Sequence, residues 1–399
     1  MRLRVLAFTS LYPNESNPLQ GIFIHQRVVH LARRPGNTVE VIAPVPYFPS
    51  WLSIKRWQHF SQIPGDEEID GVRVHHPRYP FLPGISMPAH GLLEYWGSLS
   101  LARRLHEENK FDCIDAHFVY PDGFAAVQLG KALSLPVIVS SRGSDINVYA
   151  SFPTIRPMLR WTLKSAAGVI AVSADLKKKM AELGTPESSI QVISNGVDVE
   201  RFRPLDPAES RRRLGLPEGV PVVVAVGSLI ESKGHHLLIS AVAELASNLP
   251  KLRLQIIGDG VYRSKLEKLV CEKNLQDRVF LMGNRPNEEL SAWFSAADLS
   301  CLISSREGWP NVISESLACG TPVLATRAGG IPEIITSTDV GTLVERDIRS
   351  IAAGLEKSLS KFWNRQEIAK IASCRSWDNV AKDVEDFLAS HIKQYARAN

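Results

Sequence analysis

Short apolar runs alternate with helical segments along most of this 399-residue chain. Short apolar runs bounded by turn residues are typical of parallel strands that are covered on both faces. Strand and helix in strict alternation predict an α/β architecture with parallel sheets. The predicted strands are 3–8, 38–43, 137–140, 168–172, 191–194, 222–226, 253–257, 279–282, 299–303 and 322–325. The predicted helices are 24–32, 99–108, 176–183, 235–246, 264–273, 287–296 and 312–318.

The length of the chain indicates more than one domain, because a single core rarely serves so many residues. The alternation pauses at a Pro-rich insert, 44–88, and at a polar stretch, 198–220, that we interpret as an interdomain linker. We therefore expect an N-terminal domain over 1–200, a C-terminal domain over 201–375 and a separate terminal helix within 376–399. Two doubly wound domains would place the carboxyl ends of two sheets across one cleft.

Charge and cysteine content narrow the class of protein. The net charge of +4 is small for this length and argues against a nucleic-acid binder. The five cysteines show no C-x-x-C pairing, which favours thiols in a reducing, cytoplasmic setting. No run of about 18 apolar residues is present, so we expect any membrane contact to be peripheral. The aromatic and basic segment 46–60 fits either an interfacial membrane anchor or a packed insert.

Two acids in the C-terminal half suggest a ligand grip. Glu307 and Glu315 flank a loop-to-helix junction, where Gly308 and Pro310 break regular structure and Gly320 ends the following helix. An ionised carboxylate can accept both hydroxyls of a ribose or the hydroxyls of a sugar, and a helix N-terminus offers free N–H groups. The alternative is a surface loop with two solvated acids. We favour a sugar-nucleotide grip.

Glycine turns follow several predicted strands of the same half. The turn Gly227 to Gly234 contains Lys233 and opens a helix, a geometry suited to phosphate. It does not match the G-x-x-x-x-G-K-[ST] motif of nucleotide triphosphatases. Gly260, in a Gly-Asp-Gly turn, and Gly283 also lie just past strand ends. Together with Glu307 these turns predict a nucleotide pocket at one sheet edge.

The N-terminal half offers fewer candidates. His117 ends a short apolar stretch, although a lone histidine is more often structural than catalytic. Arg142 and Asp145 follow the next predicted strand and are acceptor-side candidates; Asp145 would align a hydroxyl or cap a helix. Gly21 follows the first strand and would let a diphosphate approach the backbone.

These motifs resemble the family 4 retaining glycosyltransferases, which have the GT-B fold, and the likeness runs nearly end to end. It rests on Gly227 with Lys233-Gly234, on 195–198 and 258–260, and on the segment from Glu307 to Val323. The segments 9–13, 21–23 and 142–149 look more narrowly like transferases of the teichuronic-acid-biosynthesis type. The resemblance implies two Rossmann-like domains and a C-terminal helix that crosses back to the first domain.

By position, the resemblance implies that Glu315 binds the ribose hydroxyls, Glu307 binds the donor sugar and Lys233 binds the diphosphate. It also implies that His117 lies beside the reacting carbon. One departure is Ser228, which stands where relatives commonly carry an arginine on the diphosphate; Arg142, Arg263 or Arg285 could replace it. Val261 replaces the usual proline after the Gly-Asp-Gly turn. The implied donor-binding residues are Gly21, Gly227, Ser228, Lys233, Gly260, Gly283, Glu307, Gly308, Trp309, Pro310, Asn311, Val312 and Glu315.

The expected function is therefore transfer of a hexosyl-type unit from a nucleoside-diphosphate sugar to a glycan or polyprenyl-linked acceptor, with retention, in cell-surface polysaccharide biosynthesis. No cofactor and no metal are expected, because the sequence has no obvious D-x-D site and Lys233 with helix dipoles can stabilise the leaving diphosphate. Two alternatives stay open: a non-catalytic sugar-nucleotide sensor or scaffold, and a GT-B epimerase.

Overall fold

A computed structural model describes residues 2–48, 55–81 and 86–398, without the side chains of 55–58. The chain divides into two compact units. Unit 1 comprises Met1–Asn195 and Trp377–Asn399, and unit 2 comprises Gly196–Ser376.

The described residues of unit 1 form an eight-stranded sheet in the order β10-β9-β8-β7-β1-β2-β5-β4. All neighbours are parallel except β4 and β5, which pair antiparallel. A small second sheet pairs β3 with β6. The strands are β1 (Arg4–Phe8), β2 (Thr38–Ile42), β3 (Val45–Pro46), β4 (Asp66–Ile69), β5 (Val72–His75), β6 (Arg78–Tyr79), β7 (Cys113–His117), β8 (Val137–Ser141), β9 (Gly168–Ala171) and β10 (Ile190–Val192).

Helices flank this sheet and bury its apolar strands. The helices are α1 (Ile22–Ala32), α2 (Lys55–Gln62), α3 (His90–Asn109), α4 (Phe124–Leu133), α5 (Ser144–Asn147), α6 (Arg156–Ser165) and α7 (Ala174–Glu182). The strand order reverses between β1 and β7, so the carboxyl ends of these two strands form a switch point, the usual position of a ligand in such sheets.

Unit 2 contains a six-stranded, all-parallel sheet in the order β13-β12-β11-β14-β15-β16. Its switch point lies between β11 and β14. The strands are β11 (Val222–Val226), β12 (Arg253–Ile257), β13 (Val279–Gly283), β14 (Leu299–Leu302), β15 (Val323–Thr326) and β16 (Gly341–Val344). The helices are α8 (Pro207–Leu214), α9 (His235–Glu244), α10 (Arg263–Glu272), α11 (Asn287–Ala296), α12 (Asn311–Ala318), α13 (Ile331–Ile334), α14 (Ile348–Ser360) and α15 (Arg365–Ser373). The predicted α/β architecture with parallel sheets is confirmed.

The stretch 198–220, which we interpreted as a linker, contains α8 and lies inside unit 2. The Asp206 side chain caps this helix by accepting from the Glu209 backbone N–H at 2.7 Å, and Pro207 occupies the first turn. A capping acid followed by proline is a helix start, which explains why a proline-rich stretch is helical here.

The last helix, α16 (Trp377–Ala398), belongs to unit 1. Its buried residues Trp377, Val380, Val384 and Leu388 share a core with β1 and α1. At its rim, Glu385 accepts from Arg34 Nε at 2.5 Å and from Asn37 Nδ2 at 2.7 Å. The predicted return of the C-terminal helix to the first domain is confirmed.

No helix in the described ranges is both long and apolar enough to cross a membrane. The predicted interfacial anchor, 46–60, falls mostly on residues 49–58, whose side chains lie outside the described part of the chain.

Candidate functional site

Two loops meet at the switch point of the unit 2 sheet. The loop 227–234 follows β11, and the loop 303–310 follows β14. The Ser305 backbone N–H donates to the Ser232 carbonyl at 2.8 Å. Gly234 has a φ of +71° and packs so tightly that an added Cβ would lie 2.1 Å from the Ile303 carbonyl oxygen. Only glycine fits there, because the conformation and the contact both exclude a side chain.

Lys233 and Glu307 are brought together by these loops. Lys233 Nζ lies 2.6 Å from Glu307 Oε1, and Ser304 Oγ donates to the same oxygen at 2.6 Å. The two side chains are 24% and 11% exposed, so the pair is partly shielded from water but still reachable. A cation and a carboxylate therefore lie in contact at the sheet edge.

Glu315 lies in the middle of α12, which begins where the second loop ends. The residue is half-buried, yet its carboxyl group is enclosed, and burial raises its pKa to about 7. Asp198 adds to this rise and Arg201 opposes it. The helix ends before Gly320, as predicted. Gly320 has a φ of +76°, and the Thr321 N–H donates a hydrogen bond to the Ser316 carbonyl at 3.0 Å.

The residues between the two acids form the start of α12. Pro310 is buried, and its carbonyl accepts from the Ile313 N–H at 3.1 Å, while Asn311 and Val312 are the first helical residues. Gly308 and Trp309 are half-buried. Both precede the N-terminus of α12, and the first-turn N–H groups of a helix attract anionic or hydroxyl-rich ligands.

The predicted glycine turns line up along the same edge. The Gly227 N–H donates to the Ile257 carbonyl at 2.9 Å, and the Gly258 N–H donates to the Gly283 carbonyl at 2.9 Å. Gly260 packs against the Leu229 carbonyl. A Cβ built on Gly227 would meet only the Lys233 side chain, at 4.0 Å, so open space lies above this turn beside the lysine.

The position of Ser228 is exposed on this edge. Of the arginines that could replace its missing charge, Arg263 lies beside the Gly283 turn of this edge: its Nη2 donates to the Leu281 carbonyl at 3.3 Å, and its Nη1 would be 3.8 Å from a Cβ on Gly283. Glu267 and Asp259 pair with this arginine. Arg285 instead lies over the Trp293 ring, 6.0 Å from its centroid.

In unit 1, His117 lies at the end of β7 and is fully buried. Arg142 Nη2 contacts His117 Nδ1 at 2.5 Å, and Arg142 Nη1 donates to Asn195 Oδ1 at 2.9 Å. Arg27 Nη2 lies 3.1 Å from both oxygens of Asp115, and His117 Nε2 lies 3.7 Å from Asp115 Oδ2. Burial and the two arginines lower the pKa of His117 well below its ordinary value.

The other unit 1 candidates are differently placed. Asp145 is buried and accepts from the N–H groups of Val119, Gly143 and Arg142 and from Ser141 Oγ. It therefore stabilises the start of α5 and is engaged on both oxygens. Gly21 has a φ of +64° and packs against the Leu11 carbonyl at the start of α1.

Several residues that the sequence reasoning did not single out shape these sites. In unit 1 these are Arg27 and Asp115, and in unit 2 they are Arg201, Ser304 and Gly329. Gly329 packs closely against the Glu307 backbone, since an added Cβ would lie 1.9 Å from the Glu307 carbonyl oxygen. The Gly329-Gly330 pair after β15 is the sequence feature that indicates a turn at this position. Within the described ranges no group of three His, Cys, Asp or Glu residues could hold a metal ion.

Two family models match the chain. The model described as Glycosyltransferase Family 4 matches 20–201, and the one described as Glycosyl transferases group 1 matches 206–390. A curated relative, the putative teichuronic acid biosynthesis glycosyltransferase TuaC of Bacillus subtilis, is 30% identical over 83% of both chains. A GDP-mannose-dependent α-(1-6)-phosphatidylinositol monomannoside mannosyltransferase of Mycobacterium tuberculosis is 26% identical, over 96% of this chain and 98% of its own.

Solved structures share the fold. Sucrose-phosphate synthase from Thermosynechococcus elongatus superposes with a TM-score of 0.77 at 20% identity, over the full length of both chains. Anabaena HepE in complex with UDP superposes with a TM-score of 0.72 at 20% identity, over 98% of this chain and 100% of its own. The GT-B fold expected from the sequence is confirmed.

Proposed function

Because this chain belongs to glycosyltransferase family 4, we propose that it transfers a hexosyl-type unit from a nucleoside-diphosphate sugar to a glycan or lipid-linked acceptor. The observation that carries the proposal is the contact between Lys233 and Glu307 at the switch point of the unit 2 sheet. Such edges are where doubly wound sheets bind nucleotides. The setting we propose is cell-surface polysaccharide biosynthesis, in line with the name of the Bacillus relative.

Each group in unit 2 has a task in this proposal. Lys233 pairs with the diphosphate and stabilises the charge that grows as the sugar leaves. Glu307 accepts hydroxyl groups of the donor sugar, and Glu315 accepts those of the ribose. The open space above Gly227 gives the diphosphate room beside the lysine. Two of the similar proteins, the GDP-mannose-dependent mannosyltransferase and HepE in complex with UDP-glucose, support a nucleotide-sugar donor.

Arg263 compensates for Ser228 in this scheme. Its guanidinium lies beside Gly283 at the sheet edge and is about one-third exposed. The carboxylates of Asp259 and Glu267 hold it there. A phosphate group would compete with Asp259, whose nearest oxygen is 3.8 Å away and thus not hydrogen-bonded.

We further propose that the reaction retains the anomeric configuration by attack on the face that the diphosphate leaves. The diphosphate takes the proton of the acceptor hydroxyl as the glycosidic bond forms and the sugar–phosphate bond breaks. The reaction is metal-independent in this proposal, and the test is EDTA: activity should persist, and complete loss that added divalent cation restores would refute this part.

Transfer in this proposal takes place in the cytoplasm, with membrane contact confined to the periphery. All five cysteines are free thiols, which suits a reducing compartment.

A panel of nucleoside-diphosphate sugars provides the decisive experiment. A donor present at 100 times its dissociation constant should stabilise the protein by about 2.7 kcal/mol, seen as a thermal shift. The stabilising donor is then incubated with lipid-linked and soluble glycan acceptors, and released nucleoside diphosphate and glycosylated product are measured. A product whose new glycosidic bond has the same anomeric configuration, α or β, as the donor supports the proposal. Binding without turnover would identify a sensor, and sugar interconversion without acceptor would identify an epimerase.

A further inference from the structure

The contact between Arg142 and His117 decides which nitrogen of the imidazole carries the proton. A guanidinium has five N–H donors and no acceptor. Arg142 Nη2 lies 2.5 Å from His117 Nδ1, so Nδ1 must present its lone pair to the arginine. In a neutral imidazole the proton then resides on Nε2.

We infer that Arg142 is a positioning residue that fixes His117 as an Nε2–H tautomer, so that His117 donates a hydrogen bond to a substrate oxygen. This inference rests on the proposed transferase function. It assigns His117 a donor role and removes it as a general base, because its only lone pair is occupied by Arg142.

The carboxylate next to His117 does not compete for this N–H. Asp115 Oδ2 is 3.7 Å from His117 Nε2, beyond hydrogen-bonding distance. Both Asp115 oxygens face Arg27 Nη2 at 3.1 Å instead. Arg27 also donates to Ser140 Oγ at 2.9 Å, which holds the guanidinium in place. Arg27 thus binds Asp115, the carboxylate that would otherwise accept a hydrogen bond from His117.

His117 Nε2 is left without a hydrogen-bond partner among the described residues, and it is enclosed. An unmatched buried donor is unfavourable, so an oxygen that reaches it gains a hydrogen bond without breaking one. Because the atom is enclosed, an entering substrate must move neighbouring side chains aside to make this contact.

The surroundings also keep the imidazole neutral. Arg142 and Arg27 are the cations near the ring, and both lower the pKa of His117, as does burial. Asp115 is the facing acid, and Asp145 accepts from the Arg142 backbone N–H at 3.2 Å. Asn195 Oδ1 and the Phe23 ring, 5.7 Å from the guanidinium carbon, fix Arg142 in its position.

The tautomer is measured directly by NMR on protein with ¹⁵N-labelled histidine, without substrate, using long-range nitrogen–proton couplings. His117 is assigned with the variant His117→Gln, and His25 serves as an internal reference because both of its ring nitrogens have partners. We expect the Nε2–H pattern in the wild type at about pH 7. An Nδ1–H pattern, or a doubly protonated ring, would overturn the inference.

Two variants of Arg142 then test the cause. Arg142→Met removes the donor, so we expect a mixture of tautomers or the Nδ1–H form, while Arg142→Lys keeps a donor and should restore the Nε2–H form at least in part. An unchanged Nε2–H pattern in a folded Arg142→Met protein would overturn the inference. If Arg142→Met does not fold, Arg142→Lys and the wild-type spectrum still decide.

Activity provides a separate readout once a donor is known. His117→Gln, whose amide can donate, should keep at least about tenfold more kcat than His117→Ala. Equal loss in both variants would count against the donor role. Since the NMR result needs no substrate, a wrong tautomer with intact transfer defeats only this inference. The expected tautomer with no transfer from any nucleotide sugar defeats only the proposed function.

Discussion

Lys233 Nζ lies 2.6 Å from Glu307 Oε1, across 74 residues of sequence. The contact joins a loop after β11 to a loop after β14, the two strands that flank the switch point of the unit 2 sheet. In the proposed function, a diphosphate that binds Lys233 competes with this carboxylate for the ammonium group, and the same carboxylate accepts hydroxyls of the donor sugar. Under that proposal the pair links phosphate binding to sugar binding.

Replacement of Lys233 by alanine should weaken binding of the nucleoside diphosphate by roughly 10- to 150-fold. This range corresponds to the loss of one charge-assisted hydrogen bond of about 1.5–3 kcal/mol. Isothermal titration calorimetry with the diphosphate alone provides the measurement. The matched control is Lys268→Ala, an exposed lysine in a surface pair with Glu272 on α10. Equal affinities in wild type and Lys233→Ala would exclude a phosphate role for the lysine.

Glu307→Gln should affect binding of the donor sugar and binding of the diphosphate differently. Sugar transfer should fall by about 10- to 150-fold, since the amide is a weaker acceptor for donor-sugar hydroxyls. Binding of the sugar-free diphosphate should stay unchanged or tighten, because Lys233 loses its competing carboxylate. Kinetics and calorimetry on one protein sample test both statements, with Glu272→Gln as the control. Weaker diphosphate binding in Glu307→Gln would show that the acid supports the lysine instead of competing with the phosphate.

Nucleotide binding should depend on pH through Glu315. Burial raises the pKa of this carboxyl to about 7, and in the proposed function the ionised form is the stronger acceptor for the two ribose hydroxyls. Affinity should therefore fall as pH drops below 7, by up to about tenfold per pH unit, and level off above it. Calorimetry in buffers of different ionisation enthalpy should also show proton release on binding near pH 7.

The same pKa has a consequence for stability. The pKa of Glu315 is higher in the folded protein than in the unfolded chain. At pH values between these two pKa values the folded protein binds more protons than the unfolded chain. The contribution of Glu315 to the free energy of unfolding therefore falls as pH rises through this range. Glu315→Gln should flatten both the binding and the stability profile over this range. If nucleotide binding by Glu315→Gln keeps the same pH dependence, that dependence arises from another group.

The sequence predicted five of the six strands of the unit 2 sheet, because these strands are largely buried and read as apolar runs; β11 and β12 have the predicted bounds, whereas β16 was missed. It also predicted the shared sheet edge of Lys233 and Glu307, since carboxyl ends of parallel strands meet at one edge. Strand β4 was missed, because Asp66–Ile69 is acidic and pairs antiparallel at an edge, where apolar continuity is not required.

Contacts between distant side chains were beyond sequence reasoning. Arg27 lies in an apolar helix and is 1% exposed, and only the fold shows that it pairs with Asp115. The position of Arg142 was predicted at the edge of the sheet, but its direction toward His117 depends on side-chain packing between neighbouring strands. Local patterns fix where a residue falls along a strand or turn, whereas its partner is set by the tertiary fold.

Gly329 should prove necessary for the Glu307 loop. Its φ is +55°, and an added Cβ would lie 1.9 Å from the Glu307 carbonyl oxygen. Gly215 has a φ of +66° with open space around its Cβ position, so Gly215→Ala carries the left-handed backbone cost of about 1–2 kcal/mol without a clash. Gly329→Ala should show this cost plus a displaced Glu307, with transfer reduced at least about tenfold. Thermal unfolding and donor turnover on both variants compare the two effects. Full activity in Gly329→Ala would mean that the loop can shift without moving the Glu307 carboxylate.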